Sequence, residues 1–513
     1  MRGADLISDL CDDVLVRILE LLPDAGDAAR TAALSRRWRG LWTRLPALRF
    51  DSGSRPEFSA GNGGAHATAL RYVAFVDDAL ALRAAKPEPA VEHLAISFAV
   101  KRPVPPRVVV EAAQEWIHDA VRHAVRSFTL ELHLPMDYIR KPGMTKEKSA
   151  MVLDGFAGSA KLETMRLALG GAIVQLPAAA TFRSLTELTL EAIDINIASG
   201  DGRLLDRLLS SACCPQLQKL RLKELMLAWQ DKFLLEACSL LEMSCEDVGG
   251  LGPYDMELRT PSLRVLRMVS IGVPGEFKIS APRLEEIVFL QCLPLYIEVD
   301  GELPCMRSLK VELYSHGYAE AGQNDFSISL LTACCTSVRC LDVDLHVTER
   351  EEEQELIDII YGQIPHFPHV VSLAICLTLW ELHSNRVGVA EILTKCSNLK
   401  YLCISNKMEQ DVGTLELHNF LCDHPDYWKL HDISLARLQE VEFMGLAGTD
   451  CELRFMQAVL RTSTQLQKVT VSFDPEYMMK SGRDAIALIP PLRGGKWTPR
   501  SAYLSYEWKY CPE

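Results

Sequence analysis

Residues 216–225, QLQKLRLKEL, carry the pattern that decides the fold of this chain. Leu217 is followed three residues later by Leu220 and then by Leu222, with polar or charged residues in between. The alternation of Leu220 and Leu222 has the period of two that is typical of a short strand with one buried face. Leu217 turns the chain inward ahead of that strand. The segment therefore predicts a strand whose apolar face needs a neighbouring unit to cover it.

The same apolar-x-x-apolar-x-apolar template recurs fourteen times along the chain. The clear copies start at Leu185, Leu217, Leu240, Leu263 and Leu284, further copies at Met306, Val338, Val370, Leu399, Leu438 and Leu466, and weaker ones at Val91, Val125 and Leu162. From Leu217 the first four steps are 23, 23, 21 and 22 residues. Those steps lie inside the range of about 20–29 residues that is typical of leucine-rich repeats, and the later units are longer.

These repeats predict an α/β fold, a curved solenoid of short parallel strands with helical or irregular return legs. Residues 203–215 and 325–336 have the apolar spacing of helices and suit such return legs. The alternative is an ordinary α/β domain whose strands happen to carry leucines.

The strand positions that face away from the core would line the concave surface. Lys219, Arg221 and Lys223 form a basic row there, and Arg267 follows two repeats later. Asp342 and Asp344 form an acidic row further along the chain. These six residues are the candidate target-binding residues. The alternative is a solvated sheet face, because strand faces toward water are normally polar.

Composition and charge exclude several classes of function. The chain of 513 residues has 54 basic and 68 acidic side chains, a formal charge of −14, which argues against a general nucleic-acid or anionic-membrane binder. No apolar run approaches the roughly 18 residues that span a bilayer. The first residues lack the cationic start of a signal peptide. We expect an intracellular protein of the nucleus or cytoplasm, without nucleic-acid or membrane partners.

The sixteen cysteines show no pattern of a metal or catalytic site. No Cys-x-x-Cys occurs, and no histidines stand at zinc-finger spacing from the cysteine doublets. We interpret the cysteines as small buried side chains, with Cys245, Cys292 and Cys403 at positions that the repeat buries. No phosphate loop or hydrolase motif is present either. The sequence therefore predicts no catalytic residue, no metal site and no cofactor.

The first fifty residues differ in kind from the repeats. Ser8 or Asp9 is placed to cap a helix over 12–22, and Asp27 to cap a second helix. Residues 36–45 predict a third helix. Three helices of this size are too small to fold alone and have more apolar faces than they need, so a partner surface is implied. A cluster of arginines in this part leaves DNA backbone contact as a minor alternative.

This stretch resembles the F-box of plant F-box/leucine-rich-repeat proteins. The matching motifs are Ile7-Ser8, Leu10, Asp12-Asp13-Val14-Leu15, Ile18-Leu19, Leu22-Pro23, Asp27-Ala28, Arg30-Thr31 and Leu34-Ser35-Arg36-Arg37-Trp38-Arg39. Residues 422–473 resemble the FBD region of the same proteins. Two positions depart from the F-box pattern: Cys11 stands where the family usually has Pro, and Gly26 resembles an extra residue in the first interhelix loop.

The resemblance implies five segments. They are an F-box at 5–50, a linker at 51–67, a leucine-rich-repeat solenoid at 68–420, an FBD-like region at 421–474 that continues the solenoid, and a tail or cap at 475–513. The linker is rich in Gly, Ser and Ala, which predicts a flexible segment; the alternative is an ordered loop beneath the first repeat.

The resemblance also implies a function without bond chemistry, that of a substrate-recognition subunit of an SCF-type (Skp-cullin-F-box) ubiquitin ligase. The F-box would bind the Skp-type adaptor, and through it the cullin-RING ligase, while the repeats hold a target protein. The expected adaptor-binding residues are Leu10, Val14, Leu15, Ile18, Leu22, Leu34 and Trp38. Two alternatives are an adaptor-independent interaction scaffold and an enzyme with a site hidden in the solenoid.

Overall fold

The fold is taken from a computed structural model of the chain. It describes residues 7, 9–53, 65–85, 90–99, 106–133, 151–152, 160–175, 181–195, 204–227, 232–250, 254–272, 274–292, 296–316, 324–347, 362–379, 387–408, 427–476, 482–487, 489, 492, 495–501 and 504–510. The chain forms two compact units, residues 1–262 and 263–513, and each is described by itself. Within the described residues, no helix is both long and apolar enough to cross a membrane.

The first unit opens with helices α1 (Asp12–Glu20) and α2 (Ala25–Arg30). The carboxylate of Asp24 caps α2 by accepting the Gly26 amide at 2.6 Å. The prediction that Asp27 caps this helix was therefore wrong, and Gly26 lies inside the helix rather than in the loop before it. The segment predicted as a third helix instead forms short 3-10 turns, two of them at Trp38–Gly40 and Trp42–Arg44.

The rest of the first unit is a parallel sheet with its return legs. Its strands are β1 (Ala47–Asp51), β2 (His93–Ala99), β3 (Ser127–His133), β4 (Met151–Val152), β5 (Thr164–Gln175), β6 (Glu187–Ile195), β7 (Lys219–Lys223), β8 (Met226–Leu227), β9 (Lys232–Glu236), β10 (Glu242–Glu246), β11 (Gly249–Gly250) and β12 (Tyr254–Arg259). Its other helices are α3 (Ala65–Ala84), α4 (Pro106–Arg122) and α5 (Leu204–Leu209). Strands β1, β2, β3, β5, β6, β7 and β10 pair in that order, all parallel.

The second unit repeats this arrangement. Its strands are β13 (Val265–Val269), β14 (Pro274–Ser280), β15 (Glu286–Leu290), β16 (Tyr296–Val299), β17 (Ser308–His316), β18 (Cys340–Val347), β19 (Ser372–Leu379), β20 (Tyr401–Met408), β21 (Glu440–Leu446), β22 (Lys468–Phe473), β23 (Gly495–Ser501) and β24 (Ser505–Tyr510). Its helices are α6 (Asp325–Cys334), α7 (Val387–Thr394), α8 (Asp450–Thr462) and α9 (Gly482–Ala487). Strands β13, β15 and β17–β22 pair in parallel, and the antiparallel hairpin β23–β24 adds to β22.

The repeat template locates the strands of both sheets. Each of the fourteen predicted copies is followed, two residues after its first apolar residue, by the start of a parallel strand. Leu217 and Leu263, for example, are 0% exposed and precede β7 and β13. A parallel sheet built from consecutive, near-identical units is the architecture of a solenoid. The predicted α/β class with a helical N-terminus and a repeat region is thus confirmed.

The return legs depend on the length of the repeat. Residues 203–215 and 325–336, predicted as helical, contain α5 and α6. In the units of 21 to 23 residues the return leg instead carries a strand, and these strands pair in parallel as β9–β12 in the first unit and β14–β16 in the second. A unit this short leaves little chain for a helix of several turns, whereas a strand covers the same distance with fewer residues.

A left-handed residue recurs at the same position in five consecutive repeats. Ala192, Glu224 and Asp247 in the first unit and Ser270 and Gln291 in the second have φ between 50° and 56°. Each stands seven residues after the first apolar residue of its repeat. Backbone with positive φ is strained in a residue other than glycine, so its recurrence shows that the turn is a fixed part of the repeat.

Strand β1 connects the helical part of the first unit with its repeats. Residues 47–51 pair in parallel with residues 93–97 of β2. The carboxylate of Asp24 also accepts the Asp51 amide at 2.9 Å. The domain boundary proposed at residue 50 therefore falls inside a strand. The flexible linker at 51–67 stays a prediction, because residues 54–64 lie outside the part of the chain that the structure describes.

Candidate functional site

Helix α1 has two neighbouring apolar stripes, one buried and one exposed. Leu15 and Leu19 point into the core of the N-terminal helices, where they are 0% and 2% exposed. Val14, Ile18 and Leu21 point outward and are 42%, 40% and 80% exposed. Such a second stripe is not needed to hold the helix in place, because the first stripe already does so.

We call the outward stripe of Val14, Ile18 and Leu21 the apolar surface. Ile7 and Leu34 are further exposed apolar side chains of the same N-terminal part. Val14, Ile18 and Leu21 line a shallow groove together with Asp13 and Arg17. Large apolar side chains grouped in water are a signature of a protein-binding surface.

The seven predicted adaptor-binding residues are distributed over three environments. Val14, Ile18 and Leu34 are exposed, and Leu10, Leu22 and Trp38 are half-buried. Leu15 is fully buried, so it supports the helices from inside and offers no surface to a partner. Sequence reasoning missed Leu21, although it lies seven residues after Val14 on the same face of the helix.

The arginines of this part are held by its own carboxylates. The guanidinium of Arg37 lies 2.7 Å from Asp12 and also donates to the Leu10 carbonyl. Arg44 lies 2.8 Å from Asp13. These pairs tie the residues after α2 to the first turn of α1, where acidic side chains also favour the helix dipole. They give Arg37 and Arg44, two of the clustered arginines, a structural role in place of DNA contact.

The start of α1 has no side-chain cap. Cys11 occupies the N-cap position with extended backbone, and its side chain makes no capping hydrogen bond. Helix α8 differs, because Thr449 and Glu452 form a complete capping box there, with 3.3 Å between the hydroxyl oxygen and the Glu452 amide. Helix α1 therefore depends on Asp12 and Asp13 and on its packing for its stability.

The predicted basic row lies on the outward face of β7, as the alternation of its strand requires. Lys219 and Arg221 are exposed and Lys223 is half-exposed. Carboxylates on neighbouring strands meet both lysines: Lys219 is 3.7 Å from Glu242, and Lys223 is 3.2 Å from Glu191. The hydrogen bond to Glu191 raises the pKa of Lys223. The carboxylates therefore offset part of the positive charge that the sequence of this row indicates.

The predicted acidic row lies on the outward face of β18 in the second unit. The ammonium group of Lys310 is 3.2 Å from Asp342 and 3.1 Å from Asp344. Burial raises the pKa of Asp342, an effect that Lys310 opposes. Arg267 lies on β13 of the same unit and pairs with Glu286 at 2.5 Å. The structure thus brings the two aspartates together, with a cation between them.

The cysteines divide between the core and the surface. Cys245 and Cys292 are 2% and 8% exposed, as predicted, and burial raises the pKa of the Cys292 thiol to about 12. The prediction that the repeat buries Cys403 was wrong, because Cys403 lies on the outward face of β20, half-exposed beside Tyr401 and Glu442. The alternation of β20 buries Leu402 and Ile404 instead. Among the described residues, no three His, Cys, Asp or Glu side chains are grouped to hold a metal ion.

The comparisons with known proteins agree with the helical N-terminus and the repeats. Residues 7–50 match the F-box domain. An F-box/FBD/LRR-repeat protein of Arabidopsis thaliana is 28% identical over 268 residues, which cover 52% of this chain and 53% of that protein. An FBD-associated F-box protein of the same plant is 23% identical over 477 residues, or 91% of each chain.

Another relative has a higher identity over a much shorter stretch. A further FBD-associated F-box protein of Arabidopsis thaliana is 49% identical over 49 residues, 10% of this chain. In the first three relatives the match spans only about half of their own length, 53% to 55%. The resemblance to plant F-box, FBD and leucine-rich-repeat proteins is confirmed.

Proposed function

We propose that this chain is the substrate-recognition subunit of an SCF-type ubiquitin ligase. Its F-box domain would bind a Skp-type adaptor, and through it the cullin-RING ligase, while the repeats bind a target protein for ubiquitination. The observation that carries the proposal is the apolar surface inside the matched domain, since Val14, Ile18 and Leu21 leave apolar area in water that a partner would cover.

The adaptor would cover the apolar surface and the half-buried residues beside it, Leu10, Leu22 and Trp38. Burial of apolar area contributes about 25 cal/mol per Å², so a few exposed leucine-sized side chains supply several kcal/mol of binding free energy. Leu15 has a supporting role in this proposal, because it holds α1 against the helices behind it.

The chain itself would carry out no bond chemistry. A receptor of this kind raises the effective concentration of target lysines near the ubiquitin-charged enzyme, and linkage alone makes that gain large. The repeats suit the task because their outward strand faces are polar and differ between repeats, as the basic row on β7 and the acidic row on β18 illustrate. Lys219, Arg221, Lys223, Arg267, Asp342 and Asp344 remain the proposed target-binding residues.

The first test is co-purification of the full chain with a Skp-type adaptor. Ile18→Glu places a charge in the middle of the apolar surface, so adaptor should be lost from the purified chain. Leu82→Glu is the matched control, because Leu82 is a 58% exposed helical leucine outside the F-box domain. Adaptor retained by Ile18→Glu, with both variants folded by circular dichroism, would contradict the assignment.

The second candidate function is an adaptor-independent interaction scaffold built on the same repeats. The uncapped start of α1 at Cys11 favours it, because a weakened helix would present the apolar surface less often. The affinity of the wild-type chain for the adaptor separates the two. The target itself is best sought by proximity labelling with and without proteasome inhibition, since a degraded target accumulates only when the proteasome is blocked.

A further inference from the structure

On the outward face of the sheet in the first unit, different kinds of polar side chain occupy different lines of paired positions across the strands. One line of mutually paired positions crosses seven strands, from β1 to β10, and contains no carboxylate. Apart from Ala95 on β2, its members are three arginines and three hydroxyl residues, which we call the donor row: Arg49, Thr129, Arg166, Thr189, Arg221 and Ser244. All of them are exposed or half-exposed.

The carboxylates of this face stand in the two lines of paired positions on either side of the donor row. Asp51, Glu131, Glu191 and Glu246 occupy one line with Lys223, and Glu187 and Glu242 occupy the other with Lys219. Two of these acids neutralise the middle of the donor row, since Arg166 lies 3.0 Å from Glu131 and 2.8 Å from Glu191. A sheet face that only needs water would not require donors and acids to be segregated over so many strands.

Two arginines of the donor row have no acidic partner among the described residues. Arg49 and Arg221 are exposed, and neither has an ion pair or side-chain hydrogen bond to any residue that the structure describes. They lie on β1 and β7, five strand spacings apart, which corresponds to about 24 Å. An extended peptide of roughly seven residues covers that distance. The hydroxyls of Thr129 and Thr189 lie between them.

We propose that the donor row binds an extended acidic segment of the target protein. The inference rests on the proposed function and names the chemistry of its target. Carboxylates of such a segment would accept hydrogen bonds from Arg221 at one end and from Arg49 at the other, and charge-assisted bonds of this kind are the stronger ones. The neighbouring carboxylates disfavour nucleic acid, because every phosphate along its backbone is negatively charged and would be repelled by them. A peptide can instead turn its acidic side chains toward the donor row alone.

The test measures binding of labelled peptides to the full chain by fluorescence anisotropy. The probe is a peptide of about twelve residues that alternates Glu and Ser, and its reference has Gln in place of each Glu. We expect the acidic peptide to bind more tightly, and Arg221→Ala and Arg49→Ala each to weaken it about five- to tenfold. Arg183→Ala should leave binding unchanged, because Arg183 is an exposed arginine of the same unit outside the row.

Three results would overturn the inference. They are equal binding of the Glu and Gln peptides, an equal loss in Arg183→Ala, and tighter binding of single-stranded oligothymidine that Arg221→Ala abolishes. Adaptor co-purification from the same preparations keeps this inference separate from the proposed function. If the chain binds the adaptor but not the acidic peptide, only the proposal for the donor row is overturned. If the chain binds the peptide but not the adaptor, only the proposal of a ubiquitin-ligase subunit is overturned.

Discussion

The F-box domain and the repeat strands treat their apolar side chains differently. In β7 exposed and buried positions alternate, so Leu220 and Leu222 are 1% and 3% exposed while their neighbours face water. In α1, Leu15 is buried but Val14 and Ile18 beside it are at least 40% exposed. The repeat strands therefore turn polar side chains toward water, whereas the F-box domain leaves apolar side chains exposed that the proposed adaptor would cover.

The largest expected effect comes from making the same kind of change in both regions. Leu222→Glu buries a charge in the sheet core and should lower the free energy of unfolding by several kcal/mol, enough to unfold the first unit. Ile18→Glu changes a side chain that is 40% exposed and should cost less than about 1 kcal/mol. Denaturant unfolding followed by circular dichroism measures both. Equal losses of stability would remove the contrast between the two regions.

Leu15→Ala tests the inward stripe of α1 in the same way. Removing a fully buried leucine side chain should cost about 2–5 kcal/mol, because it leaves a cavity among the N-terminal helices. Adaptor affinity should then fall through loss of folded helix, and fall less at lower temperature. An affinity loss with unchanged stability would instead mean that Leu15 contacts the adaptor directly.

The two helix starts allow a smaller comparison. Cys11→Ser adds the side-chain cap that α1 lacks and should stabilise the F-box domain by about 0.5–1 kcal/mol. Thr449→Ala removes the capping box of α8 and should destabilise the second unit by about 1 kcal/mol. Thermal unfolding of each variant against wild type measures the two effects. Shifts of the same sign in both variants would contradict this assignment of the caps.

The smallest effect concerns the ion pairs of the first sheet. Glu191→Gln removes the carboxylate shared by Arg166 and Lys223 and should cost less than about 1 kcal/mol, as exposed pairs do. The hydrogen bond to Glu191 raises the pKa of Lys223 above its unfolded value. The Lys223–Glu191 pair therefore contributes its full stabilisation below the pKa that Lys223 has in the unfolded chain. That stabilisation is lost as the pH rises through the higher pKa of Lys223 in the folded protein. The gap between the unfolding midpoints of variant and wild type should narrow in strong alkali, where only the pair with Arg166 is left, and a constant gap would contradict this.

The sequence predicted the repeat strands because their signal is local and periodic. A template of three apolar positions specifies each strand, and Leu217 or Leu263 is buried as that template requires. It did not predict the strands of the short return legs, β9 and β12, because their pairing depends on the next repeat rather than on their own residues.

The candidate sites were harder to predict, since both depend on neighbours distant in sequence. Leu15 and Ile18 share one apolar stripe in sequence, and only the packing of the helices separates the buried residue from the exposed one. The sequence alone shows no partner for Lys223, because its partner Glu191 lies 32 residues earlier and only the pairing of the strands brings the two together. Cys403 shows the same limit, because the register of β20 decides which of two adjacent residues is buried.

Hydrogen–deuterium exchange of the full chain, with and without a Skp-type adaptor, shows directly whether the F-box domain holds the adaptor. Local protection reports which backbone amides a partner stabilises. The adaptor should slow exchange in α1, residues 12–20, and in the turns at 38–44, and should leave β7 and β18 unchanged. Protection of the repeat strands with α1 unaffected would contradict this expectation, because the adaptor would then occupy the surface assigned to the target.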